Sequence, residues 1–213
     1  MSGVWAAVPA KPFSQAKSRL AAALGREGRR VLARNLLVRT LEVLVAHKTI
    51  AAVCVVSSSP SVLKLGAGLG ALPMRERGRA AGLNRALDAA SRRAREGGAE
   101  AVLVLPADLP LLSAADIEAM IAALPDSGPG LVLAPDLHGS GTNALLARPA
   151  GVVGHHFGDG SFEAHWAAAR KLSIACAVVE TPGLALDVDS QDDLELLPPR
   201  LLAALSRRPC EPA

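Results

Sequence analysis

Short apolar runs alternate with stretches of helical periodicity along the chain. Val4–Val8 reads as a first strand. Arg29–Ala46 reads as a long helix, with Leu37, Leu41 and Leu44 at helical spacing and Arg30, Arg34 and Glu42 elsewhere on the wheel. Ala51–Val56 is a second strand, and Pro60 stands where the next helix begins. Ala71–Met74 forms a short third strand. Asn84–Arg95 is a helix closed by Gly97 and Gly98. Ala101–Leu105 is apolar throughout, as expected of a strand covered on both faces. Ser113 caps a helix over Ala114–Leu124. Leu131–Ala134 is a strand. Asp136–Gly160 is glycine-rich and irregular, with a short strand around Asn143–Leu146. Ser161–Arg170 is helical, Ile174–Val179 and Leu184–Val188 are strands, and Gln191–Leu197 starts the last helix.

This alternation predicts the α/β class, with one domain over 1–205 and a mostly parallel, mixed sheet flanked by helices. Residues 206–213 are polar and proline-bearing, and are expected to be a frayed, disordered tail. No internal repeat or linker interrupts the pattern. In such sheets ligands bind beyond the carboxyl ends of the strands, where strand order reverses. Chemistry is therefore sought just after each apolar run.

Composition narrows the classes. Half of the 213 residues are hydrophobic, so a core can form, but there are only three Phe, two Trp and no Tyr. Ala, Val and Leu must build it. The same scarcity argues against binding of single-stranded nucleic acid, which relies on stacked aromatics. A net charge of +3 suits an anionic small ligand and lacks the strong basic footprint of a DNA-binding domain. Cys54, Cys176 and Cys210 are far apart and form no CxxC, so reduced thiols in a cytoplasmic chain are expected, without zinc or disulfides. Met1–Pro9 lacks the features of a signal peptide, and no apolar run is long enough to span a membrane.

Four segments carry candidate chemistry. After the first strand, Lys11, Lys17 and Arg19 crowd a loop and helix start, which is either a solvated basic loop or a phosphate site. The spacing is not that of a P-loop. Asp108, between Pro106 and Pro110, lies at a strand's carboxyl end. It either opens a turn or offers a hard oxygen ligand to magnesium. Asp187 and Asp189 are two apart, so in an extended segment both point to one side, where a cation would relieve their repulsion. The alternative is capping of the next helix by Asp189 or Ser190, with Asp192 and Asp193 complementing its dipole. Gly139-Ser140-Gly141-Thr142-Asn143 and Phe157-Gly158-Asp159-Gly160-Ser161 allow close backbone approach and offer neutral donors, or are simply a turn and an N-cap. The five histidines show no HExxH spacing and suit surface or loop positions; His165 falls one helical turn after Ser161. No GxSxG elbow supports a hydrolase.

Six motifs in order, V-P-A-K-P…A-K-S-R-L, G-L-N-R-A-L, P-A-D-L-P-L-L, G-T-N-A-L-L, F-G-x-G-S-F-x-x-H and D-V-D-S-x-D-D-L, span about Val4 to Leu197. With them the chain resembles the bacterial and archaeal guanylyltransferases that activate a phospho-acid for deazaflavin coenzyme F-420 biosynthesis. The acceptor there is phosphoenolpyruvate, 2-phospho-L-lactate or 3-phospho-D-glycerate. The resemblance implies a single domain like that of nucleotide-diphospho-sugar transferases, with GTP as co-substrate and Mg2+ as cofactor. It implies that Asp108, Asp187 and Asp189 hold magnesium, and that Thr142, Gly158 and Ser161 hold the phospho-acid. Lys11, Lys17 and Arg19 would face the GTP phosphates and, with Asp108, form the catalytic set. Gly82 and Asn84 would lie by the nucleoside. A downstream transferase that uses the product is an implied partner. The second strand departs from the pattern, ending Val56-Ser57-Ser58-Ser59 without the expected acid close by. A related nucleotidyltransferase with a molybdopterin or sugar-phosphate acceptor, or a non-catalytic nucleotide-binding regulator, are the alternative readings.

Overall fold

The computed structural model describes residues 3–76 and 82–208. Among these, the apolar runs become seven strands of one sheet: β1 (Val4–Pro9), β2 (Ile50–Ser57), β3 (Leu72–Arg75), β4 (Ala101–Val104), β5 (Gly130–Pro135), β6 (Thr142–Arg148) and β7 (Ala175–Val178). Their order is β3-β2-β1-β4-β6-β5-β7. Only β6 is reversed, antiparallel to both β4 and β5. The other neighbours pair in parallel. The first half is thus wound outward from β1 to β3 and then restarted at β4. Strand order reverses between β1 and β4, which opens a crevice at their carboxyl ends.

The flanking helices are α1 (Arg26–Ala46), α2 (Pro60–Gly68), α3 (Gly82–Glu96), α4 (Ala114–Ala122), α5 (Ser161–Lys171), α6 (Pro182–Ala185), α7 (Gln191–Glu195) and α8 (Pro199–Leu205). Leu37, Leu41 and Leu44 of α1, Val62 of α2 and Ile117 and Met120 of α4 cover one face of the sheet. Leu87 and Ala90 of α3 cover the other, against Ala7, Val102 and Val104. Each buried leucine removes enough apolar surface from water to contribute about 1.5–3 kcal/mol, so aliphatic side chains suffice for this core. Cys54 is buried and Cys176 partly so, and both are free thiols; Cys210 lies outside the described residues. No helix among the described residues is long and apolar enough to cross a membrane.

Two segments differ from the sequence expectation. Leu184–Val188 is not a strand. Thr181 Oγ1 accepts from Leu184 N–H and Pro182 occupies the first turn of α6, so the chain coils before it extends. Gly183 permits this: a Cβ there would run into the Asp116 carboxylate. Asp116 in turn accepts from the Ser113 N–H and hydroxyl at the start of α4. The second difference is at the end. The helix beginning at Gln191 stops at Glu195, and α8 follows Pro198. Asn35 of α1 donates to the carbonyls of Leu205 and Arg207 and holds this end to the body. Residues 209–213 of the expected tail lie outside the described residues.

Candidate active site

The carboxyl ends of β1, β2, β3 and β4 surround a cleft of about 1000 Å³. Lys11, Lys17, Asp108 and Asp189 line it, as do Glu76 and Gly82. Lys17 precedes a single 3-10 turn, Ser18–Ala21, and its backbone is left-handed with φ of 56°. A non-glycine residue in that region stores about 1–3 kcal/mol of strain. The compensation is electrostatic. Lys17 Nζ donates to Asp108 Oδ2 at 2.5 Å and to Asp189 Oδ1 at 3.1 Å, with its side chain only 6% exposed. Burial alone would lower the pKa of this ammonium, but the two carboxylates outweigh burial and hold it above its ordinary value.

The acids reach this place by different routes. Asp108 follows β4, where Arg39 Nε of α1 donates to the Pro110 carbonyl at 2.6 Å and fixes the proline-flanked turn. The Val188 N–H donates to the Asp108 carbonyl at 3.2 Å, which lays the extended 186–189 segment beside it. Val188 is buried, and Asp187 and Asp189 flank it. Asn143 of β6 donates to the Leu184 and Ala185 carbonyls and to Asp187 Oδ1, so one amide positions that carboxylate. Burial first, then the charge of Asp108, push the Asp187 pKa up; the Asn143 hydrogen bond opposes them, and Asp189 adds to the rise. Asp193 accepts from the Asp189 and Ser190 N–H groups, and Ser190 Oγ accepts from Asp193 N–H. Capping of α7 therefore falls to Ser190 and Asp193, and Asp189 keeps its carboxylate for the cleft.

These residues fit a hard divalent cation. The donors are all carboxylate oxygens, the chemistry magnesium prefers. Asp108 Oδ1 is buried with no hydrogen-bond partner, and the charges of Asp108 and Asp189 both act on Asp187. Among the described residues no three acidic, His or Cys side chains form a ready cage for an ion; Lys17 Nζ bridges Asp108 and Asp189 instead. Arg19 is on the rim, its Nη1 3.8 Å from Asp189 Oδ2 and its side chain 78% exposed. Lys11 is exposed and unattached to this knot.

A second group of residues gathers at β6 and α5. Thr142 N–H donates to Ser161 Oγ at 2.9 Å, and Thr142 Oγ1 lies 3.0 Å from His165 Nδ1. Thr142, Ser161 and His165 are buried. Gly158, with φ of +132°, lets the 154–160 loop turn beside them, a conformation a side chain would strain. Asn84 is not among the residues lining the cleft. Its Nδ2 donates to the Phe157 carbonyl at 3.1 Å and its Oδ1 accepts from the Phe157 N–H at 2.8 Å, so it anchors the Gly158 loop to α3. Gly82 does line the cleft, with Leu83 beside it.

Glu76 was not picked out by any motif. It follows β3, and its N–H donates to the Ser57 carbonyl at 3.0 Å, so it stands beside the end of β2 where an acid was expected in sequence. Parallel pairing of β2 with β3 supplies from a neighbouring strand what the second strand lacks. The signal in sequence was an acid just beyond a short apolar run.

A model of the guanylyl transferase family "CofC like" matches residues 4–198. The chain belongs to that family. It is 44% identical over 194 residues to the phosphoenolpyruvate guanylyltransferase of Rubrobacter xylanophilus, covering 91% of this chain and 93% of the relative. It is 42% identical over 192 residues to the enzyme of the same name from Sphaerobacter thermophilus, covering 90% and 91%. Its fold matches a Desulfovibrio desulfuricans chain assigned to the nucleotide-diphospho-sugar transferases, with a TM-score of 0.76 over 92% of this chain and 86% of the other, at 17% identity. This member of the CofC-like family is thus a nucleotidyltransferase, with the mixed sheet of the nucleotide-diphospho-sugar transferases.

Proposed function

We propose that the protein transfers GMP from GTP to phosphoenolpyruvate and releases pyrophosphate, in the cytoplasm, as a step towards deazaflavin coenzyme F-420. The observation that carries this reading is the knot of Lys17 with Asp108 and Asp189, beside Asp187, at the switch point of the sheet. The names of the two close relatives supply the choice of acceptor.

An oxygen of the acceptor phosphate attacks the α-phosphorus of GTP. The new O–P bond forms as the bond from the α-phosphorus to the bridging oxygen breaks, and pyrophosphate carries away the electron pair. The nucleophile is already an anion, so no general base is needed, and repulsion between two polyanions is the main barrier. Asp108, Asp187 and Asp189 would hold magnesium, which would supply charge neutralisation at the reacting phosphates. Lys17 delivers a buried positive charge to the same place, with Lys11 and Arg19 reaching from the rim. These groups act by electrostatic stabilisation and positioning. Thr142, Gly158 and Ser161 hold the acid, and Glu76 offers acceptor oxygens to the N1–H and N2 amine of guanine. The product passes to a downstream transferase.

Pyrophosphate release with GTP, magnesium and each of phosphoenolpyruvate, 2-phospho-L-lactate and 3-phospho-D-glycerate tests the reading. Release with phosphoenolpyruvate alone supports it. Preference for another acid reassigns the acceptor, and silence with all three overturns the activity. Asp108→Asn should lower turnover by about 10² or more, the scale of losing one key electrostatic group.

A further inference from the structure

We infer that His165 is a positioning residue for the acceptor: it fixes the Thr142 hydroxyl as a hydrogen-bond donor to the acid and ties the 156–158 loop to the same point. This rests on the assignment of Thr142 and Ser161 to the phospho-acid and deepens it.

The number of protons on the imidazole sets its tautomer. His165 Nε2 accepts the His156 N–H at 2.9 Å. A ring nitrogen that accepts a hydrogen bond carries no proton, and a neutral imidazole carries only one. That proton is therefore on Nδ1, which lies 3.0 Å from Thr142 Oγ1. Nδ1–H donates, and the Thr142 oxygen accepts. Ser161 Oγ likewise accepts, from the Thr142 N–H at 2.9 Å. Both hydroxyl oxygens are thus engaged as acceptors, while both hydroxyl protons are left to give. Neither of these two contacts uses a hydroxyl proton. Two adjacent buried hydroxyl donors match a ligand group that only accepts, such as a carboxylate or phosphate oxygen. Reversal of the imidazole tautomer would turn the Thr142 proton inward and leave a lone pair facing an anion.

The surroundings keep the imidazole in this state. His165 is fully buried on α5. Burial, then the neighbouring His156 and His155, lower its pKa to about 4, against the Ser161 backbone, which raises it. Phe157 meets the ring edge-on at 4.9 Å, and Asn84 fixes Phe157 in turn. One neutral side chain so joins β6, α5 and the glycine loop around the acceptor.

Two variants divide its two hydrogen bonds. In His165→Asn the amide nitrogen takes the place of Nδ1 and still donates to Thr142. In His165→Gln the amide oxygen reaches the place of Nε2 and still accepts from His156, but the donor to Thr142 is gone. Michaelis constants for phospho-acid and GTP are measured separately by pyrophosphate release. The expected result is a rise in acceptor KM of about 10–100-fold for His165→Gln, the effect of one hydrogen bond to a charged ligand. A clearly smaller rise is expected for His165→Asn, and an unchanged GTP KM for both. Adding His165→Gln to Thr142→Val should then cost nothing further. Equal acceptor KM in wild type and His165→Gln, parallel losses for both substrates, or additive effects with Thr142→Val overturn the inference. Wild-type protein that releases no pyrophosphate with any acid overturns the parent reading instead.

Discussion

Replacement of Lys17 by Met tests the charge arrangement at the cleft most directly. The ammonium lies 2.5 Å from Asp108 and 3.1 Å from Asp189, and its side chain is 6% exposed against 25% and 46% for the two carboxylates. A pair of unit charges about 4 Å apart is worth about 4 kcal/mol at an effective dielectric constant near 20. Burial of the ammonium offsets part of this, and the half-exposed Asp189 is screened by water. Met keeps the length and the apolar stem, so the loss is mainly charge. A decrease of about 1–3 kcal/mol in folding stability follows, or about 3–10 °C in melting midpoint for a chain of this size. The variant also leaves Asp108 and Asp189 without their internal cation. Magnesium should therefore raise its midpoint more than that of the wild type. Thermal unfolding, followed by circular dichroism in chelator and through a magnesium series, reads both effects. Pyrophosphate release should fall by about 10²–10³. A midpoint in chelator equal to that of the wild type, with the same magnesium response, would refute the idea that Lys17 neutralises a cation site.

Asn84→Ala removes both bonds to the Phe157 backbone and should lower stability by about 1–3 kcal/mol. It should raise the acceptor KM with GTP KM unchanged; the reverse pattern would return Asn84 to the nucleoside. Glu76→Gln should weaken GTP binding by about 10-fold or more, the effect of one charged hydrogen bond. It should also erase the preference for GTP over inosine triphosphate, which lacks the amine, and a preserved preference would remove Glu76 from base recognition. His165 has its folded pKa lowered from 6.5 to about 4. Between those values the unfolded chain binds a proton that the folded chain refuses, so stability falls as pH drops from 6.5 and levels off below the folded pKa. The wild type should lose about 3 kcal/mol more than His165→Asn over that interval; denaturant titrations at several pH values that give parallel losses would refute the assignment.

The strands and the acids were legible for a local reason: continuous apolar runs mark strands covered on both faces, and the residues just beyond their ends fall at the crevice. Lys17 and Asp108 were placed in this way and line the cleft, as do Asp189, read from its spacing to Asp187, and Gly82, which came from the resemblance alone; Asp187 does not line it. Their pairing was not legible. Lys17 meets Asp108 across 91 residues and Asp189 across 172, separations that only sheet order resolves. Glu76 escaped because its neighbour in space, Ser57, is brought to it by parallel pairing of β2 and β3. Leu184–Val188 misled because its alternating apolar residues suit a strand, whereas Thr181, Pro182 and Gly183 impose a helical turn first. Asn84 carries an amide that serves a loop 73 residues away, and no spacing rule anticipates that.

The reversed strand β6 has a consequence for how such enzymes diversify. It divides the sheet into a block β3-β2-β1-β4, whose carboxyl ends surround the cleft, and a block of β6, β5 and β7 on one continuous stretch, Gly130–Val178, which also carries Thr142, Gly158 and Ser161. The two blocks meet along a single strand boundary, Val102–Val104 against Leu145–Ala147. Exchange of that stretch between relatives would have to preserve this seam and also the side-chain ties that cross it, Asn84 to the Phe157 backbone and Asn143 to the 184–187 segment. A chimera that carries the stretch over together with Asn84 and the 184–187 segment keeps those ties, and one that takes the strands alone breaks them.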